Sequence, residues 1–520
     1  MRLVAAVAVV FCLAGAQMQA QRPDPSTRVP NPGIPNPSFG LTERAGAATY
    51  FVDNTNPAAT DTSNPNGTAA RPRRTVPSTA LPAGAVVEVR GGPYDITRGT
   101  WYGNGTAASP VFIKGVGDPI IRGDRMVFGG SYLSVESMIF DDISLVMDTG
   151  TSHFALRYSI IHNWTSSGPS AAMVPAGSDI VVFGNEITAN GDPNSAQESD
   201  IHGIKIEAGA SKVWVLLNHI HHNGGDGIQL GNATSPEPWP QQIYIAQNTI
   251  HEDRENAVDI KKARDVVVSS NIAYGYESRS SSSGEIFVTH DGAQRIWIID
   301  NAVGSSRQGI VCTGATDYAV VGNVINGIRH NPADTAYDPN SVFRAAGILT
   351  YNSTNTVHIN NTIWDSDSGI SYASGTAATL IVNNIIGNLA QPSFHIAIPN
   401  SQALAASVVS NNIVMGEARL RLGSGGSRGC QGSECVNADP LLTGAPRSFR
   451  PAAGSPAIDK GATPGFFAAF ERMYGQSIAV DLLGVPRPQG AAFDIGAIEV
   501  PAGTPPSPRN VRIIPKTPAP

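Results

Sequence analysis

Charge is scarce in this chain. Asp, Glu, Lys and Arg make up 15% of its 520 residues, and the net charge is −7. Phosphate binding needs clustered Lys and Arg, so no nucleic acid is expected as a partner. Cysteine is scarcer still, at four residues, with no Cys-x-x-Cys and no Cys/His zinc spacing. That excludes a disulfide scaffold and a zinc module of ordinary spacing. Phosphate-binding glycine loops, the dinucleotide fingerprint and the Gly-x-Ser-x-Gly elbow are missing too. Long apolar runs are absent beyond Leu3–Leu13, which is too short to span a bilayer, so no membrane span is expected. With Arg2 before that run, and Ala14-Gly15-Ala16 or Met18-Gln19-Ala20 after it, residues 1–20 read as a secretory signal peptide. The mature chain is therefore expected to be secreted, extracellular or periplasmic.

What is abundant is turn chemistry: 54 Gly, with many Asn, Ser and Thr. Residues 21–45, with Pro23, Pro25, Pro30, Pro32, Pro35 and Pro37, read as an extended, unpacked linker. From Thr49 onward short alternating strands follow one another, and a repeat emerges. Asn-x-apolar recurs at Asn185, Asn218, Asn248, Asn271, Asn301, Asn323, Asn361, Asn384 and Asn412, at intervals of 22 to 38 residues. Each Asn closes one alternating strand (VWVLLN, IYIAQN, VVVSSN), and a Gly-Ile-x-apolar strand precedes that (GIKI, GIQL, GILT).

A floor near 22 residues with irregular excess describes a fixed coil carrying insertions. Two or three short strands per coil predict an all-β fold: a single-stranded, right-handed parallel β-helix over residues 46–430, a solenoid expected to act as a monomer. Successive coils would stack like positions at roughly 4.8 Å. The Asn column would then form a ladder of amides, Asn also tolerating left-handed backbone at the turn. Leucine-rich repeats would need Leu spacing and helical returns, and a propeller a period near 40. Cys430 and Cys435 could pair across a Gly/Ser-rich loop, and Cys312 falls at an inward strand position.

The charge that does exist is concentrated between His202 and Lys262. Within GIKIE, Ile204 and Ile206 point inward, so Lys205 and Glu207 point out. Gln229 and Gly231, then Asp259 and Lys261, are expected to stack on them, with Phe287 and Thr289, then Val311 and Thr313, extending the columns. Asp226 and Glu255 fall in the turns leading into these strands, and His290 follows the fourth. The loops 192–200 and 232–241 could wall a groove. His219, His221 and His222 form NHIHHN at a strand-to-turn transition, where alternation permits metal binding, though solvated turn histidines are the plainer reading.

After Asn412 the pattern fades. Asp-Pro-Leu at 439–441, Ser-Pro-Ala-Ile-Asp-Lys-Gly at 455–461 and Asp-Ile-Gly-Ala-Ile-Glu at 494–499 resemble the closing segment of many exported bacterial β-helix proteins. The resemblance implies a C-terminal capping segment over residues 431–500, which would hide the solenoid's last open edge. Residues 501–520 then form a disordered Pro-rich tail.

The coil pattern from Thr49 to Gly416 resembles the pectate-lyase-like superfamily. One branch, the family 9 pectate lyases, carries Asp-Asp-Gly-x-Asp in one coil and another Asp one coil earlier. Here Glu255-Asn256-Ala257-Val258-Asp259 has that spacing, and Asp226 lies one coil earlier. Asn256 stands where the family has an acid, and no Asn-Gly-Phe-Lys strand follows. The resemblance implies Ca²⁺ held by Asp226, Glu255 and Asp259, an acidic polysaccharide as substrate, and a secreted lyase cleaving a uronic-acid-containing, pectate-like polymer by metal-assisted β-elimination.

Neutralising the C6 carboxylate acidifies the C5 proton, and a Lys of lowered pKa, Lys261 or failing it Lys205, would remove it. Glu207, Gln229, Arg264 and His290 would contact substrate. A glycoside hydrolase using Asp226 and Asp259 is the second reading. A non-catalytic glycan-binding surface protein is the third.

Overall fold

A computed structural model of the chain describes residues 36–166, 170–195, 199–330, 345–373, 375–390, 394–445 and 448–501. The stretches expected to form a signal peptide, the first part of a linker and nearly all of a tail lie outside them. Within them the chain is a parallel β-helix. Thirty-nine strands pair into one continuous parallel array, each hydrogen-bonded to its counterpart one coil away. Two short helices, Ser401–Ala405 and Gly465–Tyr474, and an antiparallel pair of two-residue strands, Leu442–Thr443 and Arg450–Pro451, complete the described secondary structure.

Each coil contributes three strands. The first sheet contains Ala171–Val174, His202–Ile206, Ile228–Leu230, Val258–Lys261, Glu285–His290 and Gln308–Thr313. The second holds Ser211–Leu216, Gln241–Ala246, Arg264–Ser269 and their neighbours, and the third His219–His221, Thr249–His251 and Ile272–Tyr274. Inward positions are apolar and fully buried: Ile204, Ile206, Ile228, Leu230, Val258 and Ile260 from the first sheet meet Val213, Val215, Ile243 and Ile245 from the second. No single coil can bury this face, so stacking supplies the core.

The Asn column lies at the corner between the second and third sheets. Asn185 Nδ2 donates to Asn218 Oδ1 at 3.0 Å, and Asn218 and Asn248 repeat the bond at 3.0 Å. The ladder continues to Asn412. Each amide also accepts the backbone N–H of the previous ladder Asn. The left-handed backbone expected at these asparagines falls instead on the residue before each, such as Leu217 (φ 57°), Gln247 (φ 58°) and Asp300 (φ 54°). The turn bends at one residue while the next one donates its amide inward.

Residues 36–45 do not behave as a free linker. Phe39 is buried against Ala155 and Val181 of the second sheet, and Arg157 donates to the carbonyls of Gly40 and Glu43. Cys430 and Cys435 form the disulfide, and Cys312 is buried. The segment expected to cover the end of the solenoid runs along its flank. Phe467, Phe470 and Phe493 pack on the second sheet beside Trp297, Ile359 and Val382, while Ala457 and Ile495 cover Ile385 and Ile413 of the third. Arg487 and Glu499, both buried, pair at 2.9 Å and fix this segment.

Candidate functional site

The first sheet's outer face carries the charge, in the expected register as far as Asp259. Lys205 pairs with Gln229 and Gln229 with Asp259. One coil further on, the register differs from expectation by one residue. Asp259 is followed by Val288, and Lys261 by His290, while Phe287 and Thr289 point inward and are fully buried. A one-residue slip exchanges the faces of a strand. Here it brings His290 beside the acidic cluster. Val311 and Leu349 continue the outer column, so the charged strip ends at this coil. Gly231 sits between Glu207 and Lys261 because the backbone demands it: its φ is +58°, and a Cβ would meet Lys261 O at 2.3 Å.

The centre of the strip is Asp259, only 3% exposed. Its Oδ2 lies 2.7 Å from Lys261 Nζ and its Oδ1 2.8 Å from His290 Nε2. His290 Nδ1 in turn lies 3.2 Å from Asp291 Oδ2. Burial pushes the Asp259 carboxyl up, but the His290 hydrogen bond and the Lys261 charge outweigh it and hold it below its ordinary value. Burial opposes the charge on His290, yet Asp259 and Asp291 raise its pKa. Burial likewise opposes the Lys261 ammonium, and Asp259 and Asp226 raise it. A base at this position needs the opposite shift, so Lys261 is arranged as a fixed positive charge.

Asp226 and its neighbours form a second layer beneath. Asp226 is fully buried. Its Oδ1 accepts from Asn256 Nδ2 at 2.8 Å and from Asn256 N at 3.1 Å, and its Oδ2 accepts from Gln229 Nε2 at 3.3 Å. Its own N–H donates to His202 Nδ1 at 3.0 Å, which leaves the ring proton on Nε2, 3.1 Å from Asp200 Oδ1. Burial takes the His202 pKa down to about 4, so this imidazole is a neutral spacer. Burial, with Asp259 and Glu255 adding repulsion, raises the Asp226 carboxyl well above its usual range.

The expected calcium set does not form a cage. Glu255 is held by Arg254, 3.3 Å away, and by Ser281 Oγ. Asp259 is occupied by Lys261 and His290, and Asp226 by amide donors. Asp226, Glu255 and Asp259 are not among the described groups of three ligands whose donor atoms all lie within 4.8 Å of one another. A hard cation needs several free oxygens converging on one point. These oxygens are turned to separate donors, so the residues as placed do not fit Ca²⁺. The hydrolase pair fares no better, because Asp226 has no surface from which to reach a glycosidic oxygen.

A polar groove of about 500 Å³ lies over Asp259, Lys261 and His290, with Glu255, Asp200 and Glu285 along it. Ser278–Ser283 forms one wall and Tyr351 lines the downstream end. The serine run reads only as a loop in the sequence, and neither Glu285 nor Tyr351 carries a local signal, since both arrive through coil stacking. Four expected site residues lie elsewhere, the first being Gln229, which is buried with its amide turned to Asp226. Lys205 donates to Ser170 Oγ at 2.9 Å, one coil upstream. Glu207 is exposed beside it at 3.8 Å. Arg264 opens a second-sheet strand, where its guanidinium pairs with Glu237 and lies 4.5 Å over the Trp239 ring. The loop 232–241 therefore packs on Arg264, outside the residues that line the groove.

No protein-family description matches the sequence, and no curated protein matches it. Solved structures do. A pectate lyase, Pel9A, aligns over 88% of this chain and 98% of its own length at 14% identity and a TM-score of 0.39. An alginate lyase of family PL6, AlyGC, aligns over 72% of this chain and 53% of its own length at 13% identity, TM-score 0.47. PfbA, a surface adhesin of Streptococcus pneumoniae, aligns over 68% of this chain and 88% of its own at 12% identity, TM-score 0.45. Chains so distant can share a fold while differing in reaction. By its own coil geometry the chain is a parallel β-helix.

Proposed function

We propose that this chain is a secreted enzyme that binds an acidic polysaccharide along the first sheet and cleaves it by β-elimination. The observation that supports this reading is the groove in which Lys261 and His290, both held cationic by Asp259, stand on one floor. A uronate carboxylate docked on Lys261 loses the negative charge that keeps its C5 proton inert. The Glu285 carboxylate, which lines the same groove, is assigned the C5 proton; the electrons of that C–H bond form the C4–C5 double bond, the C4–O4 bond breaks, and His290 is placed to protonate the departing oxygen. Lys261 takes the neutralising role that Ca²⁺ was expected to fill, because the oxygens of Asp226, Glu255 and Asp259 are committed to other donors. Lys205 faces upstream and is given no part in the proton transfer.

The test incubates the purified protein with polygalacturonate, alginate and glucuronan, each with Ca²⁺ and with a chelator. Ultraviolet absorbance of unsaturated ends, insensitive to chelation, is the expected outcome. New reducing ends without that absorbance would overturn elimination in favour of hydrolysis. Retention on glycan gels with neither signal would overturn catalysis altogether.

A further inference from the structure

The outer face of the third sheet carries a second cluster, away from the groove. Coil stacking pairs His221 with His251 and places His219 beside Thr249. Ring nitrogens of His219, His221 and His251 all lie within 4.8 Å of one another. His219 Nε2 and His251 Nε2 are 2.9 Å apart. Two imidazole nitrogens at that distance must share either a proton or a cation. His221 Nε2 is buried, with Glu186 Oε1 3.4 Å away, while its Nδ1 meets Thr188 Oγ1 at 3.0 Å and His222 Nδ1 at 2.8 Å. His251 Nδ1 lies 3.0 Å from Glu252 Oε2. A carboxylate on the far nitrogen fixes the tautomer and turns the Nε2 lone pair toward the cluster, as the outer partners of metal-ligating histidines do.

The rings are held by packing. His221 and His251 stack with centroids 4.9 Å apart and planes 2° from parallel, and Tyr274 continues the stack at 4.8 Å. Stacking accounts for the burial of the rings. It does not account for nitrogens converging from two coils to within 2.9 Å.

We propose that His219, His221 and His251 bind one first-row transition-metal ion of the zinc type, clamping two adjacent coils, with Glu252 orienting His251. Three imidazoles select Zn²⁺, Ni²⁺ or Cu²⁺ over Ca²⁺ and Mg²⁺, which require oxygen. A fourth position stays open for water or a ligand. A second set, His222, His251 and Glu252, shares one ring with the first. The 2.9 Å approach of His219 Nε2 to His251 Nε2 favours the first set. A pocket of about 230 Å³ lined by His222, Glu252, Glu277 and Arg279 opens beside it.

The experiment strips the full chain with a chelator and titrates it with Zn²⁺ by calorimetry, with metal analysis after dialysis. One zinc per chain is expected. His219→Gln, at a half-buried position, should weaken binding at least tenfold, and Glu252→Gln by about 10–100-fold. His222→Gln should leave it unchanged, with circular dichroism confirming each fold. Zinc should also shield histidines of the unaltered protein from diethyl pyrocarbonate, a readout that needs no variant. Failure to bind zinc stoichiometrically overturns the proposal. So does full affinity in folded His219→Gln, or loss of binding in His222→Gln.

Discussion

Truncating one rung of the asparagine ladder tests what the repeat does physically. Asn271 Nδ2 donates to Ile245 O at 3.0 Å and to Asn301 Oδ1 at 3.0 Å. Its Oδ1 accepts from Asn248 N at 2.9 Å and from Asn248 Nδ2 at 3.0 Å. Asn271→Ala deletes all four bonds. Asn248 Nδ2 keeps its bond to Val215 O, but the buried Asn248 amide N–H loses its side-chain acceptor. A buried N–H without a partner costs about 1–3 kcal/mol, and each net hydrogen bond about 1 kcal/mol more. Because these terms overlap, a total of about 2–4 kcal/mol is expected. Asn104→Ala, at an exposed strand end, should cost under about 0.5 kcal/mol. Urea unfolding followed by circular dichroism measures the difference, and hydrogen exchange at the Asn248 amide localises it. Equal midpoints for the two variants, with unchanged exchange at Asn248, would refute the ladder as a source of stability.

Further predictions concern the site and the flank. Lys261→Arg keeps a fixed charge that cannot serve as a base, so it should retain measurable elimination activity, while Lys261→Met should lower kcat/KM by at least about tenfold; inactivity of a folded Arg variant would return the base role to Lys261. Glu499→Ala strands the buried Arg487 guanidinium and should destabilise by about 3–5 kcal/mol in thermal or urea unfolding, and a cost below about 1 kcal/mol would contradict that burial. Asp300 is buried with Oδ1 unpartnered, and burial, eased by Arg487 but worsened by Asp481, raises its pKa well above the ordinary value. A raised carboxyl binds a proton in the fold, so its contribution to stability is present at acid pH and lost as pH rises. Asp300→Asn suits the left-handed backbone there and should stabilise the chain at pH 8 by about 1–3 kcal/mol, the gap closing toward pH 4. A gap independent of pH would show that Asp300 does not titrate with folding.

The solenoid was legible because it is periodic. Nine asparagines at one phase and the alternation of GIKI, GIQL and AVDI fix which side chains turn inward, and local sterics enforce that without reference to distant residues. The outward column Lys205–Gln229–Asp259 followed from the same rule. The rule failed at Glu285–His290, where an insertion precedes the strand and nothing local sets its register against Val258–Lys261. That single slip carried His290 into the site.

By itself the sequence determined the coil, its ladder and the stretch where charge gathers, since each depends on spacings within one or two coils. Only the tertiary structure decided what the charges do. Whether Asp259 meets a cation, Glu255 turns to Arg254, or Lys205 faces upstream depends on distances of a few ångströms between separate coils. Burial then sets which of these groups stays charged. The histidine cluster shows the same division. NHIHHN is visible as a string, but His251 joins it only because one coil lies on the next, thirty residues later in the chain.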